Sequence, residues 1–136
     1  VYVLYLWLYM LRLLSLLIIT SLCCANALNA QEMSISGPDI SQCGGFLVDD
    51  GFSSSNYSNN QNQTITICAP QPETIINLYF AVFALGTGDV LSIYDGNSTA
   101  APLIGNYTGS DLQTTDITST NATGCLTVRF VSDGSV

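Results

Sequence analysis

Histidine and lysine are both missing from the 136 residues, and only two basic side chains remain, Arg12 and Arg129. Without an imidazole, no serine has the usual base partner for nucleophilic catalysis. Without a basic patch, the chain has nothing with which to displace the counterions of a phosphate backbone, which excludes a nucleic-acid partner. Zinc is disfavoured on the same ground, since histidine is absent and no cysteines are spaced as Cys-x-x-Cys. Carboxylates are plentiful, ten in all, but the only adjacent pair is Asp49-Asp50. Neighbours on a strand point to opposite faces, so this pair does not make a glycosidase-type acid/base couple. No catalytic residues are expected. The net charge is −8, a balance that suits cationic partners or a hard metal ion.

Long apolar runs are also lacking, except at the start. Hydrophobic residues make up 48% of the chain, yet they are concentrated in residues 1–28. The run from Met10 through Arg12 to Leu22 has a basic start and an apolar stretch, followed by the small-residue site Ala25-Asn26-Ala27 and a second option after Ala30. Residues 1–30 therefore read as a signal peptide. Its true start is expected at Met10, with 1–9 as an upstream extension, and Cys23 and Cys24 are leader residues. If the leader is instead retained, Val1 to Leu22 is long enough to act as a membrane anchor that tolerates Arg12. Loss of the leader would leave Arg129 alone against the carboxylates, a formal charge of 1 − 10 = −9.

The remainder is rich in Ser, Thr, Asn and Gly and shows no helical periodicity. Residues 31–42 carry a Gly-Pro pair and no apolar pattern, and read as a linker. From Cys43 onward, short runs alternate with a period of two. Thr64-Ile65-Thr66-Ile67 alternates strictly. Ile76, Leu78, Phe80 and Val82 are expected to share a face, as are Leu91 with Ile93. Leu126, Val128 and Phe130 face one way while Thr127 and Arg129 point away. Turn residues cluster at Gly51, at Gly86-Thr87-Gly88 and at Asp95-Gly96 through Thr99. The pattern predicts an all-β, antiparallel β-sandwich. A partner strand is expected beyond Val136.

Three cysteines follow the leader, in a compartment where disulfides persist. Cys43 and Cys68 flank the first two β regions and are expected to pair, stabilising the domain by roughly 3 kcal/mol on the chain-entropy model. Cys125 is then odd: either a buried free thiol or one half of a bridge to a cysteine beyond Val136.

Taken in order, Cys43-Gly44-Gly45, Asn56-Tyr57-Ser58-Asn59-Asn60, Thr66-Ile67-Cys68, Asp89 through Gly96, Pro102-Leu103-Ile104-Gly105 with Tyr107 and Gly109, and Leu126 through Asp133 resemble a CUB domain over residues 43–136. The resemblance implies a jelly-roll-like β-sandwich whose last strand is missing here, a Cys43–Cys68 disulfide, and an extracellular, non-catalytic role in protein interaction or adhesion. The second disulfide of many members would join positions held here by Gly86 and Thr108. The Tyr57-Ser58-Asn59-Asn60 stretch and Cys125 before the Ser132-Asp133 strand end look closer to the divergent CUB-like modules of large extracellular proteins, including bacterial ones.

Many CUB domains hold a calcium ion between loops at one end, through a Tyr-linked position, a Glu and two Asp. The Asp positions correspond to Asp89 and Asp133. The Tyr position falls near Gln61, and the Glu position on residues 81–86, which contain no acid. Calcium needs six to eight oxygens, so main-chain carbonyls and water would have to complete the shell, with Asp49 and Asp50 if their loop folds toward it. The other reading makes Asp89 and Asp133 turn caps that accept backbone N–H bonds. Asp95 reads as the first residue of an Asp-Gly turn. In calcium-binding members the same carboxylates grip a Lys or Arg of the partner, which suits this acidic chain.

N-glycosylation sequons begin at Asn56, Asn62, Asn97, Asn106 and Asn121. Tyr57, Tyr94 and Tyr107 form an aromatic set that would either stack on carbohydrate or pack in the core. The leading expectation is a secreted protein-binding module, with calcium as a candidate cofactor. The alternatives are a carbohydrate-binding accessory module and the non-catalytic part of a larger secreted protease or hydrolase.

Overall fold

A computed structural model describes residues 31–135 apart from Cys43, Ser53, Ser54 and Pro72. The expected signal peptide, its anchor alternative, Cys23 and Cys24 lie outside the described residues. Nine strands are present: β1 (Glu32–Ser34), β2 (Ile40–Ser41), β3 (Phe46–Val48), β4 (Asn62–Cys68), β5 (Asn77–Tyr79), β6 (Val90–Tyr94), β7 (Leu103–Tyr107), β8 (Asp116–Thr118) and β9 (Leu126–Val131). Among the described residues there is no helix. The main sheet has the order β2-β4-β9-β6-β7, and two smaller sheets pair β1 with β3 and β5 with β8. The architecture is the sandwich-like, all-strand arrangement that the period-two pattern predicts.

The core follows from that pattern. Ile65 and Ile67 on β4, Leu91 and Ile93 on β6, and Leu126, Val128 and Phe130 on β9 are all buried. Val128 is the cross-strand partner of both Ile65 and Ile93, so three branched side chains meet in one row. Each such burial stabilises the fold by about 1.5–3 kcal/mol. Leu78 on β5 and Ile117 on β8 pack on the same cluster and close it from the second layer.

Four expectations are corrected. Residues 31–42 are not a plain linker: β1 pairs with β3 and β2 with β4, and the Asp39 carboxylate accepts the Thr66 N–H at 2.8 Å. Strands of two or three residues are too short to leave a readable alternation. Both of these pairings are parallel, so the fold is not purely antiparallel. Val82 leaves the face of Ile76, Leu78 and Phe80 and is 85% exposed, while Phe83 is buried. Strand β5 stops at Tyr79, and the alternation has no meaning past its end. Finally, Cys68 is bonded to Cys125 rather than to Cys43, and Cys43 lies outside the described residues. Ile67 pairs with Leu126 across β4 and β9. The next residues outward, Cys68 and Cys125, are therefore cross-strand neighbours with Cα atoms 4.1 Å apart. Spacing along the chain could not reveal a contact made between strands 57 residues apart.

Thr127 does point away from the core, yet it is fully buried. Its hydroxyl donates to the Gly96 carbonyl at 2.9 Å and lies 3.2 Å from that of Thr66. The turn after β6 folds over this end of the outer face and covers it.

Candidate functional site

One end of the main sheet is where β6 begins and β9 finishes. Val90 and Val131 are cross-strand partners there, which brings the flanking Asp89 and Asp133 together. Asp89 has no exposed surface. Its Oδ2 accepts the Tyr57 hydroxyl at 2.5 Å, and its Oδ1 accepts the Asp133 backbone N–H at 2.7 Å. A buried carboxylate is tolerated when both oxygens are bonded in this way. The Tyr57 oxygen accepts the Gly86 N–H at 2.6 Å, and its ring meets Phe130 edge-on, with centroids 4.9 Å apart. Burial, and after it the bond to Asp89, pushes the Tyr57 hydroxyl above its ordinary pKa, which keeps it protonated as a donor.

The loops around this pair are fastened to it. Asp133 is exposed, and its Oδ1 accepts the Ser135 N–H at 2.8 Å and the Ser135 hydroxyl at 2.9 Å. The Asp133 carbonyl accepts the Asn60 N–H at 2.6 Å. Ser132 Oγ accepts the Gln61 N–H and donates to the Ser58 carbonyl, each at 2.9 Å. Gly88 sits at φ 97°, and a Cβ there would collide with Asp133 Oδ2. The left-handed backbone conformation is the reason glycine suits this position. Further along the 49–61 loop, Asp50 accepts the Ser58 N–H at 2.9 Å, and bonds from Ser58 lower its pKa. Asp49 accepts the Gly51 N–H at 2.8 Å, but burial dominates and raises its pKa.

Asp89 and Asp133, which the family resemblance offered as calcium ligands, meet here as hydrogen-bond acceptors. The aromatic that meets Asp89 is Tyr57, four residues before Gln61. The same finding removes Tyr57 from the carbohydrate-stacking set, since it is 8% exposed and committed to the core. The only signal for its role was a single aromatic inside the polar run 55–60. The donors do not fit a calcium ion. Asp89 is sealed from solvent with a protein hydrogen bond at each oxygen, residues 81–86 offer no acid, and among the described residues no three His, Cys, Asp or Glu side chains gather as a metal group.

The opposite end of the sheet carries a second carboxylate junction that the sequence did not disclose. Asp95 was expected only to open a turn, and its N–H does bond to the Pro102 carbonyl at 2.8 Å. Its side chain crosses to another loop instead. Oδ1 accepts the Thr120 N–H at 2.9 Å and Asn121 Nδ2 at 2.6 Å, and Oδ2 accepts the Thr120 hydroxyl. These bonds, those from Thr120 first and then Asn121, pull the Asp95 pKa down to about 2. The Cys68–Cys125 bridge lies at this end, and Asn121 Nδ2 also donates to the Cys125 carbonyl at 2.7 Å.

The sequons fall in different settings. Asn56, Asn62, Asn97 and Asn106 are exposed, whereas Asn121 is half-buried. Arg129, the sole cation among the described residues, lies on the outer face of the sheet and donates to Asn62 Oδ1 at 3.2 Å.

The CUB domain family model matches residues 43–136. Over 106 residues the chain is 38% identical to cubilin of Sus scrofa and, equally, to cubilin of Homo sapiens. The match covers 69% of this chain and 3% of either relative. Among solved structures, the full extracellular region of zebrafish Gpr126/Adgrg6 aligns with a TM-score of 0.51 at 23% identity, covering 62% of this chain and 11% of that one. That likeness concerns the fold alone.

Proposed function

The chain belongs to the CUB domain family, and on that premise we propose that it is a secreted, non-catalytic module that binds another extracellular protein through its acidic loop end. The observation that carries this reading is the setting of Asp133. Its carboxylate is exposed, is oriented by Ser135, and has no cation beside it, because Arg129 is occupied on the outer sheet face with Asn62. Asp49 and Asp50 add negative charge on the loop fastened to the same end. A Lys or Arg presented by a partner would form a charge-assisted hydrogen bond with the remaining Asp133 oxygen. The surrounding acidic field would raise its encounter rate.

The non-catalytic part of the reading rests on chemistry. Asp89 and Asp133 are the carboxylates brought together at this end, and Asp89 has no exposed surface through which to exchange a proton with a substrate. Calcium assistance is not part of the reading, since the donor set does not fit the ion.

The test is retention of a peptide array, graded in Lys and Arg content, by the secreted protein at low and at physiological salt. The expected result is retention of Lys- and Arg-bearing peptides that weakens with salt and is largely lost in Asp133→Asn, which keeps the Ser135 bonds. Equal retention of uncharged peptides, or an Asp133→Asn variant that behaves as the parent, overturns the reading.

A further inference from the structure

The sequons differ in one respect that decides what each amide nitrogen can do. A side-chain amide carries two N–H donors on Nδ2. N-glycosylation is a group transfer: Nδ2 bonds to C1 of an oligosaccharide carried on a lipid diphosphate, the C1–O bond to the diphosphate breaks, and Nδ2 gives up one of its protons. A glycosylated asparagine therefore keeps a single N–H and must find room for a bulky sugar beside it.

Asn121 has neither the spare proton nor the room. One N–H goes to Asp95 Oδ1 at 2.6 Å and the other to the Cys125 carbonyl at 2.7 Å. Both partners are pure acceptors, so the nitrogen must face them. The amide oxygen is fixed just as firmly, by the Thr123 N–H at 3.0 Å and the Thr123 hydroxyl at 2.5 Å. The sequon's own threonine is thus bonded to its asparagine. The whole group ties the turn after β6 to the chain entering β9, next to the disulfide. A sugar on Nδ2 would displace the Asp95 carboxylate or the Cys125 carbonyl and open that junction.

The other sequons are arranged the opposite way. At Asn62 the donor Arg129 Nε can bond only to the amide oxygen, which leaves Nδ2 without a hydrogen bond among the described residues. Asn106 makes one side-chain bond, to the Ser92 hydroxyl at 2.7 Å. The side chains of Asn56 and Asn97 make no hydrogen bond among the described residues and stand in exposed loops. Asn62 and Asn106 also share a face. Asn106 is opposite Ser92, Ser92 opposite Arg129, and Arg129 opposite Thr64, two residues beyond Asn62 on β4. Three strand spacings separate β4 from β7, about 15 Å. Two glycans so placed would flank Arg129 and cover the outer face of the sheet.

We propose that Asn121 is a structural asparagine that stays unmodified in the folded protein, while Asn62 and Asn106 on the outer sheet face, with Asn56 and Asn97 in the loops, accept N-linked glycans. This rests on the reading that the chain is secreted. The test is expression of the full chain in animal cells, with glycopeptide mass spectrometry of the protein recovered from the medium. Absence from the medium would count against secretion; the sequon assignment is judged on secreted protein. The expected result is occupancy at Asn62 and Asn106 and none at Asn121. A glycan at Asn121, or bare Asn62 and Asn106 in secreted protein, overturns the proposal. A second measurement uses a host without N-glycosylation. There Asn121→Gln should lower Tm by about 5 °C, whereas Asn62→Gln and Asn106→Gln leave it near the parent value. Equal Tm for all three variants overturns the structural role of Asn121.

Discussion

Asp89 and Asp95 are both aspartates beside turns, and their surroundings give them opposite duties. Asp89 is sealed in and holds Tyr57 and the Asp133 backbone. Asp95 lies near solvent and fastens Thr120 and Asn121. The lowered Asp95 pKa, about 2 against an ordinary 3.8, sets the sign of a pH effect. A carboxyl whose pKa is depressed by folding favours the folded state above its ordinary pKa, and that contribution fades as pH falls through the folded value. Asp95→Asn should therefore be less stable than the parent at neutral pH. The two stability curves should converge as pH falls from about 4 to about 2, as read by urea unfolding across that range. Solvent screening keeps the difference modest. Parallel curves would assign the acid sensitivity to another carboxylate.

At the scale of elements, β4 and β9 are the spine of the main sheet, paired from Asn62 with Val131 to Ile67 with Leu126. The Cys68–Cys125 bridge closes the end of that ladder. Its partners are separated by 57 residues, and closing a loop of that length is worth about 4 kcal/mol on the chain-entropy model. Proteolysis without reduction should release a peptide pair joined through Cys68 and Cys125. The Cys68→Ala, Cys125→Ala double variant should unfold at clearly lower denaturant concentration. A linked pair containing Cys43 instead would relocate the bridge.

Across the whole molecule, the loop end is closed by protein groups where the family resemblance implied a metal. Adding calcium, or removing it with a chelator, should leave the thermal unfolding curve unchanged, because a ligand stabilises only the state that binds it. Tyr57→Phe should cost about 1–3 kcal/mol, the penalty for orphaning buried partners of the hydroxyl, and by the same amount with or without calcium. A calcium-dependent shift in Tm would show that Asp89 and Asp133 do hold the ion.

The sequence by itself determined the all-β class, the inward faces of β4, β6 and β9, and the acidic character. Each is local, since a period of two in apolar residues fixes which way a side chain points, and charge is additive. The disulfide partner of Cys68, the burial of Tyr57, the crossing of Asp95 to Asn121 and the covering of Thr127 were decided only by tertiary structure. Every one of these joins residues 26 or more apart in sequence, the shortest step being that from Asp95 to Asn121. Periodicity ends where a strand ends. Which loop then meets which is set by the packing of the sheets, and so is the choice of which asparagine becomes part of the frame.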